Sequence, residues 1–337
     1  MSERDDARPD RTDHLSEHRS EHEVTAADLA YQAARMYYVD NETQAAIAER
    51  LDVSRPTVSR LVTEARRLGL VRIEVVDPRS DERGVLAARL REALGLDGAR
   101  VVPPVHPSRL GPDLAPAVGA EIEDMGLEPG DVLLLSSGRT VYEVVREPLP
   151  KMTGVQVVPT VGGLSEPVAW YQTNEIARLA AESTGAFPAF LFTEVLPTVP
   201  MRRSLDEDPT FRHVIGLWRS ARAAVVGIGA PTATRNSISR SIPADASTFR
   251  DAIGDVCMNF FDAAGAAIEF PGSDRMVRTP RELLQGLDRC VGVAVGVEKV
   301  PSIVGAVRAG LVRSLVTDAP TARALLEALD RPAARRP

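Results

Sequence analysis

The sequence predicts an α/β protein of two domains, a small helical one followed by a larger one built on a mostly parallel sheet. Three observations predict it. The chain has 337 residues, more than one ordinary domain and long enough for a sizeable core. Between residues 24 and 78, apolar residues recur at helical spacing with capping residues between the runs. From residue 99 to 330, short β-branched apolar runs alternate with helical patterns, the texture of βαβ units whose strands are covered on both faces.

Residues 1–23 are almost entirely polar or charged and cannot bury enough apolar surface to offset the entropy of ordering, so they read as a disordered tail. His14, His18 and His22 would share one helical face and could hold a metal, but no apolar stripe would hold such a helix, and no metal is expected. Leu29, Ala33, Met36 and Tyr37 predict a first helix over 25–39, broken by Asp40 and Asn41. Thr43 can cap a second helix carrying Ala46, Ile47 and Leu51 on one side. A tight turn at Asp52-Val53 leads to Ser54, which can cap a third helix in which Pro56 falls in the tolerant first turn. Gly69 ends that helix as a left-handed cap, and VRIEVV (71–76) alternates as a strand, the wing of a winged-helix-like unit closed by Asp77-Pro78. Residues 79–98 read as a linker (RSDERG) plus a short helix, 85–94, whose Leu86, Leu90 and Leu94 make an apolar stripe able to contribute to pairing between copies. Beyond it, ARVVPPV, DVLLLSS, VQVVPTVGG, AFLFTEV, AAVVGIG, VGVAVGV and SLVTD read as strands of a Rossmann-like domain over 99–330, and 331–337 as a basic frayed tail.

Composition narrows the function classes. No apolar run reaches the ~18 residues of a membrane span, and MSERDDARPD lacks the apolar segment of a secretory signal. Two cysteines make neither a disulfide framework nor a four-ligand zinc site, and a cytoplasmic location is expected. The net charge of −7 argues at first against nucleic acid, yet residues 50–72 carry six arginines against two acids, a local +4.

That basic segment coincides with two short helices joined by a tight turn, the pattern of a helix-turn-helix. Small Ala48 allows close helix approach, Val53 fills the space under the turn, and Val58, Leu61 and Val62 face inward. Arg55, Thr57, Ser59, Arg60 and Thr63 are left outward on the helix that would enter a major groove, where arginine suits guanine edges and threonine a thymine methyl or a phosphate. With Thr43, Gln44, Ser54 and Arg66 they are the candidate contacts to double-stranded DNA. A helical packing module that binds nothing is the bland alternative.

The stretch ARMYYVDNETQAAIAERLDVSRPTVSRLVTEARRLGLVRIEV resembles the N-terminal domain of the SorC/DeoR-type sugar-binding transcriptional regulators of bacteria. SGRTVYEV, VVPTVGGL, AAVVGIG, AIGDVCMNFFDAAG and VGVEKVPSIVGAVRAGLVRSLVTDAPTA resemble that family's effector-domain landmarks, in the same order, to about residue 329. The resemblance implies an effector domain similar in fold to sugar-phosphate isomerases and deaminases, a sugar, polyol or sugar-phosphate effector, a DNA operator, and homo-oligomers, dimers or tetramers.

The candidate effector residues lie in loops after predicted strands. Ser136, Ser137, Gly138, Arg139 and Thr140 place backbone N–H groups, hydroxyls and a cation between a strand and a helix, although the phosphate-loop pattern GxxxxGK[ST] is absent; a plain βα turn is the alternative. The resemblance implies that this loop holds the phosphate or polar end of a sugar; an aromatic often precedes the glycine in the family, and Ser137 stands there. Gly162 and Gly163 allow close backbone approach to a ligand or make a simple turn, and Asn174 could cap the next helix or touch the ligand. The loop Gly227–Pro231, with Gly229, lacks the third glycine of a dinucleotide fingerprint, Thr232 standing in its place, so NAD is excluded and the loop is expected to line the pocket by its backbone. The resemblance places Asp255 near the effector and assigns Lys299 to phosphate or sugar; a cap and a solvated lysine are the alternatives. Cys257 and Cys290 read as small core residues, and Trp170, Tyr171 and Trp218 as core aromatics that could otherwise stack on a sugar.

No catalytic residue or cofactor is expected, because His106 and His213 lie beside none of these loops and no acid/base pattern surrounds them. The expected function is a DNA-binding transcriptional regulator controlled by a sugar, polyol or sugar phosphate, with release or promotion of DNA binding left open. A sugar-phosphate isomerase or deaminase-like enzyme with an appended DNA-binding domain is the alternative, and a nucleoid protein without effector a weaker third.

Overall fold

The computed structural model describes residues 26–71, 80–164, 166–231 and 249–330. The predicted tails, His14, His18 and His22 in the first of them, and the wing strand beyond Val71 lie outside the described residues. The chain divides into two compact units, 1–77 and 78–337.

The first unit holds α1 (Ala26–Tyr38), α2 (Gln44–Leu51) and α3 (Arg55–Arg67). Asn41 and Asp52 turn the chain between them with φ of 54° and 52°, left-handed conformations that short polar side chains tolerate. The Thr43 hydroxyl accepts from the Ala46 N–H and the Ser54 hydroxyl from the Thr57 N–H, both at 3.3 Å, so both predicted caps are made. At the end of α3, Gly69 has φ 73°; its N–H donates to the Arg66 carbonyl at 3.1 Å and that of Leu70 to Ala65 at 2.9 Å, a Schellman closure. Ala33, Ile47, Val58 and Val62 form the core, with Ala48, Val53 and Leu61 packed at its edge.

The second unit begins with α4 (Ser80–Leu94), which starts inside the predicted linker. Its Leu86 and Leu90 are buried in the core of the α/β unit, against β1 (Gly98–Val102) and the last helix, α12 (Ala319–Asp330). The apolar stripe expected to serve pairing between copies is therefore used within one chain.

The remaining strands are β2 (Val132–Leu135), β3 (Gln156–Pro159), β4 (Phe187–Pro188), β5 (Ala221–Gly227), the hairpin β6 (Gly254–Val256) and β7 (Asn259–Phe261), then β8 (Arg289–Val293) and β9 (Ser314–Asp318). Six of them join β1 in one sheet in the order β1-β9-β8-β5-β2-β3-β4, every neighbouring pair parallel. Leu133, Leu135, Val157 and Val225 pack beneath α5 (Leu110–Asp124), α6 (Arg139–Val145) and α7 (Thr173–Thr184). Val132, Leu134, Val158 and Ala224 point to the other layer, with α4, α9 (Pro209–Arg219) and α12. Two covered faces explain why DVLLL is apolar without alternation. The other described α-helices are α8 (Val199–Glu207), α10 (Arg281–Gln285) and α11 (Val300–Arg308).

The run AFLFTEV is not the strand it was expected to be. Strand β4 is the preceding Phe187–Pro188, and the Leu191 backbone is instead held on both sides by the Asn174 side chain, which donates to its carbonyl at 3.3 Å and accepts from its N–H at 2.8 Å. Asn174 thus neither caps α7 nor lines the cavity described below.

Candidate functional site

Strand order places a site before any side chain is considered. From β2 the chain moves outward to β3 and β4 on one side, then returns to β5 on the other side of β2. The loops leaving the carboxyl ends of β2 and β5 therefore diverge and leave a crevice, the usual ligand position in an open parallel sheet. A cavity of about 200 Å³ lies there, lined by Ser137 to Thr140 after β2 and by Gly227 to Ala230 after β5. An engineered cavity of about 150 Å³ admits a benzene ring, so this one has room for a molecule of monosaccharide size.

Of the predicted effector residues, Ser137, Gly138, Arg139, Thr140, Gly229, Asp255 and Lys299 line this cavity. Gly138 has φ 120° and donates its N–H to the Trp170 carbonyl at 2.8 Å, which ties the β2 loop to the segment carrying Trp170 and Tyr171. Both were expected as core aromatics; both are half-buried and line the cavity, Tyr171 while also packing against the core. The Arg139 guanidinium stands 5.7 Å from the centre of the Trp170 ring and donates to the Pro107 carbonyl at 3.0 Å. Lys299 donates to the Ile228 carbonyl at 3.1 Å, reaching the β5 loop from a 3-10 turn at the start of α11. Asp255, buried on β6, accepts from the Met258 N–H at 3.0 Å. Among the described residues, the charged groups of the lining are thus two cations and one carboxylate, beside an aromatic wall and backbone N–H groups.

Three predicted residues are not in the lining. The buried Ser136 hydroxyl donates to the Ser137 carbonyl and accepts from the Gly227 N–H at 2.8 Å, so it fastens the ends of β2 and β5 together. Gly162 is a glycine because its backbone meets another strand of chain: a Cβ there would lie 2.7 Å from the Glu194 carbonyl oxygen. Gly163 donates to the Thr193 carbonyl and accepts from the Val195 N–H, each at 2.8 Å. Their close approach is to protein rather than to ligand.

The sequence reading missed the turn between β6 and β7. Cys257 and Met258 line the cavity with φ of 50° and 61°. Two apolar runs separated by two residues could have signalled a hairpin, but Cys-Met is not the Asn-Gly or Asp-Gly expected where both central residues have positive φ. Cys257 is otherwise a core residue, its thiol pushed above its usual range by burial. Trp218 is core as expected, its indole N–H donating to the Pro159 carbonyl at 2.8 Å. His106 is bonded to Ser108, and His213 stands on α9; neither lines the cavity. Among the described residues no cluster of His, Cys, Asp or Glu could hold a metal ion.

In the helical unit, Ser54, Arg55, Ser59, Arg60, Thr63 and Arg66 are exposed along α3 and Thr57 is half-buried. Several already serve the fold. Ser54 caps α3, and the Thr63 hydroxyl donates to the Ser59 carbonyl at 2.9 Å. Arg66 donates to the Tyr38 hydroxyl through Nε at 2.7 Å and lies over that ring. Arg50 is paired with Glu42 and Arg67 with Glu64. The Arg67 guanidinium, by hydrogen bond and charge, holds the Glu64 carboxyl below its usual range. Among the described residues Arg55 and Arg60 have no such partner, so the local positive charge is available at the N-terminal half of α3. Thr43 and Gln44 stand at the start of α2, with the Thr43 hydroxyl engaged as its cap.

Comparison with known proteins agrees with this division. Residues 79–327 match the Sugar-bind family, described as a sugar-binding domain, and residues 39–84 match the MarR family. The deoxyribonucleoside regulator of Bacillus subtilis is 33% identical over 319 residues, covering 89% of this chain and 98% of that protein. The sorbitol operon regulator of Klebsiella pneumoniae is 32% identical over 316 residues, covering 89% of this chain and 98% of that protein. The crystal structure of full-length SorC from Klebsiella pneumoniae superposes with a TM-score of 0.72 at 29% identity, covering 88% of this chain and 98% of that one.

Proposed function

The chain belongs to the SorC-type family of bacterial sugar-binding transcriptional regulators, and from that premise we propose how its two units divide the work. It is a DNA-binding regulator with a sugar-binding effector domain, not a sugar-phosphate enzyme: its relatives are regulators. The effector is a monosaccharide, polyol or sugar phosphate, held at the switch point between β2 and β5. Arg139 and Lys299 take its anionic or most polar end, Asp255 accepts from its hydroxyl groups, Ser137, Gly138, Thr140 and Gly229 supply hydroxyl and backbone contacts, and Trp170 with Tyr171 gives the sugar ring a face to stack on.

The observation that carries this reading is that two cations and a buried acid line, with an aromatic wall, a cavity of about 200 Å³ at the switch point. DNA is read by α3, through Arg55 and Arg60 at base edges, with Thr57, Ser59 and Thr63 beside them and Thr43, Gln44, Ser54 and Arg66 along the phosphates. One such helix makes few contacts, so the working form is a homo-oligomer that sets two reading helices at half-site spacing. Effector and operator each favour one of two states of that assembly, and each therefore alters the affinity for the other.

A mobility shift on the protein's own upstream DNA, at fixed salt, against sugars, polyols and their phosphates tests this. One compound should change operator affinity reversibly and without being consumed. Its conversion to product, or indifference of DNA binding to the whole panel, would overturn the reading.

A further inference from the structure

A second cavity, of about 410 Å³, lies in the α/β unit between α9, the start of β7 and residues 267–283, and no described residue lines both it and the effector cavity. Its size falls in the range of small-molecule sites, roughly 300–1,000 Å³. Part of its wall is apolar, with Phe211, Ile215 and Trp218 from α9 and Leu283 opposite. Its polar part includes four guanidinium groups, those of Arg202, Arg219, Arg278 and Arg281.

These arginines differ in what already holds them. Arg202 is occupied, with Asp206 at 3.0 Å and the Arg275 and Met276 carbonyls at 3.1 and 3.3 Å, and Arg219 is exposed at the rim. Arg278 has a side chain only 13% exposed, and burial lowers its pKa from the usual arginine range. It donates to the Met258 carbonyl, and the carboxylate it pairs with, Glu269, stands 3.4 Å away and is itself mostly in solvent, while Asp255 and Glu282 act on it through charge alone. Arg281 donates through Nη2 to the Gly265 and Ala309 carbonyls, while its Nη1, also buried, has no hydrogen-bond partner among the described residues. A buried guanidinium nitrogen without a partner, as at Arg281 Nη1, is unfavourable, and the planar fork of an arginine fits a carboxylate or phosphate. The acids of the lining, Glu269, Asp274 and Glu282, leave it a net charge of only +1, which suits a ligand with one anionic head rather than a polyanion.

We propose that this cavity is a second ligand site, separate from the effector site, for a small organic anion. Its phosphate or carboxylate is taken by Arg278 and Arg281, and its body lies against Phe211, Ile215 and Trp218.

The chain has two tryptophans, and each lines one cavity. The Trp170→Phe variant of the full chain therefore leaves Trp218 as the sole indole reporter of the second site. Its fluorescence is titrated with phenyl phosphate and, separately, with benzoate, which distinguishes a phosphate-bearing from a carboxylate-bearing ligand. At least one probe should give a saturable change. Arg281→Gln in the same background should weaken it roughly tenfold or more, the loss of a charge-assisted hydrogen bond. Arg308→Gln, outside both cavities, should leave it unchanged. Absence of saturation with both probes, or an affinity indifferent to Arg281→Gln, overturns the proposal. If Arg281→Gln fails to fold by circular dichroism, Glu269→Gln decides: removing the competing carboxylate should tighten binding, and an unchanged or weaker affinity overturns the site. The titration uses neither operator nor effector, so its failure leaves the regulator reading untouched.

Discussion

Among the described residues, Arg55 and Arg60 differ from Arg50, Arg66 and Arg67 in having no neighbour that holds their charge. Arg60→Ala should weaken specific operator binding by ~1–3 kcal/mol if Arg60 reads a base edge. Its effect on thermal stability should stay within about 0.5 kcal/mol, as for an exposed residue without partners. A mobility shift at fixed salt beside a melting curve separates the two, and unchanged affinity would remove Arg60 from the interface. The outward positions of α3 were legible because helical spacing alone sets which side chains face away from Val58 and Val62. That Arg66 is engaged by Tyr38 was not, because the partner lies on another helix. Cys290 gives a residue-scale test by pH. Burial raises its thiol pKa from an ordinary 9.0 to about 12, against a smaller opposing effect of Arg313. Below pH 9 both folded and unfolded chains hold the proton; above it the unfolded chain loses it first, so the native state binds more protons and stability falls as pH rises. The loss is at most about 1.4 kcal/mol per pH unit for this thiol. Urea midpoints measured above pH 9 should fall less steeply in Cys290→Ala; an equal slope would refute the assignment.

At the scale of elements, the helix-turn-helix was readable almost residue by residue because its caps and closures are local chemistry. Gly69→Ala isolates one of them. A Cβ at Gly69 meets nothing within 4 Å, so the penalty is that of a left-handed backbone alone, about 1 kcal/mol. Hydrogen exchange of the α3 amides in the full chain should report an opening free energy lower by that amount, and unaltered protection would exclude a Schellman closure at Gly69. The strands β2, β3, β5, β8 and β9 were legible as apolar runs, since a strand covered on both faces must be apolar throughout. AFLFTEV misled because composition does not report what satisfies a backbone: Asn174, from α7, supplies the Leu191 hydrogen bonds that a neighbouring strand would otherwise supply. The Cys257–Met258 turn was hidden for the same kind of reason. Tertiary contacts hold two non-glycine residues at positive φ, with Asp255 accepting from Met258 and Arg278 donating to its carbonyl.

Across the whole molecule, the question is how effector and operator influence one another. Lys299→Ala should abolish the effect of effector on operator affinity, a coupling of typically 5–150-fold, while operator affinity without effector stays as in the parent. Mobility shifts with and without effector measure both, and a retained response would remove Lys299 from the effector site. The net charge of −7 divides into +4 over residues 50–72 and −11 elsewhere, so an acidic chain carries a compact basic reader. No helix among the described residues is long and apolar enough to cross a membrane. The sequence by itself determined the division into a helical reader and an α/β sensor, the caps, the inner strands and the loops that would face a ligand. Those features depend on contacts a few residues apart or on a periodicity that burial imposes on any strand or helix. Only the tertiary structure decided that Ser136, Gly162 and Gly163 serve packing, that Trp170 and Tyr171 wall the cavity, that α4 spends its apolar stripe internally, and that a second cavity exists. These outcomes rest on which distant segments meet, and that is fixed by the strand order and by the packing of both sheet faces at once.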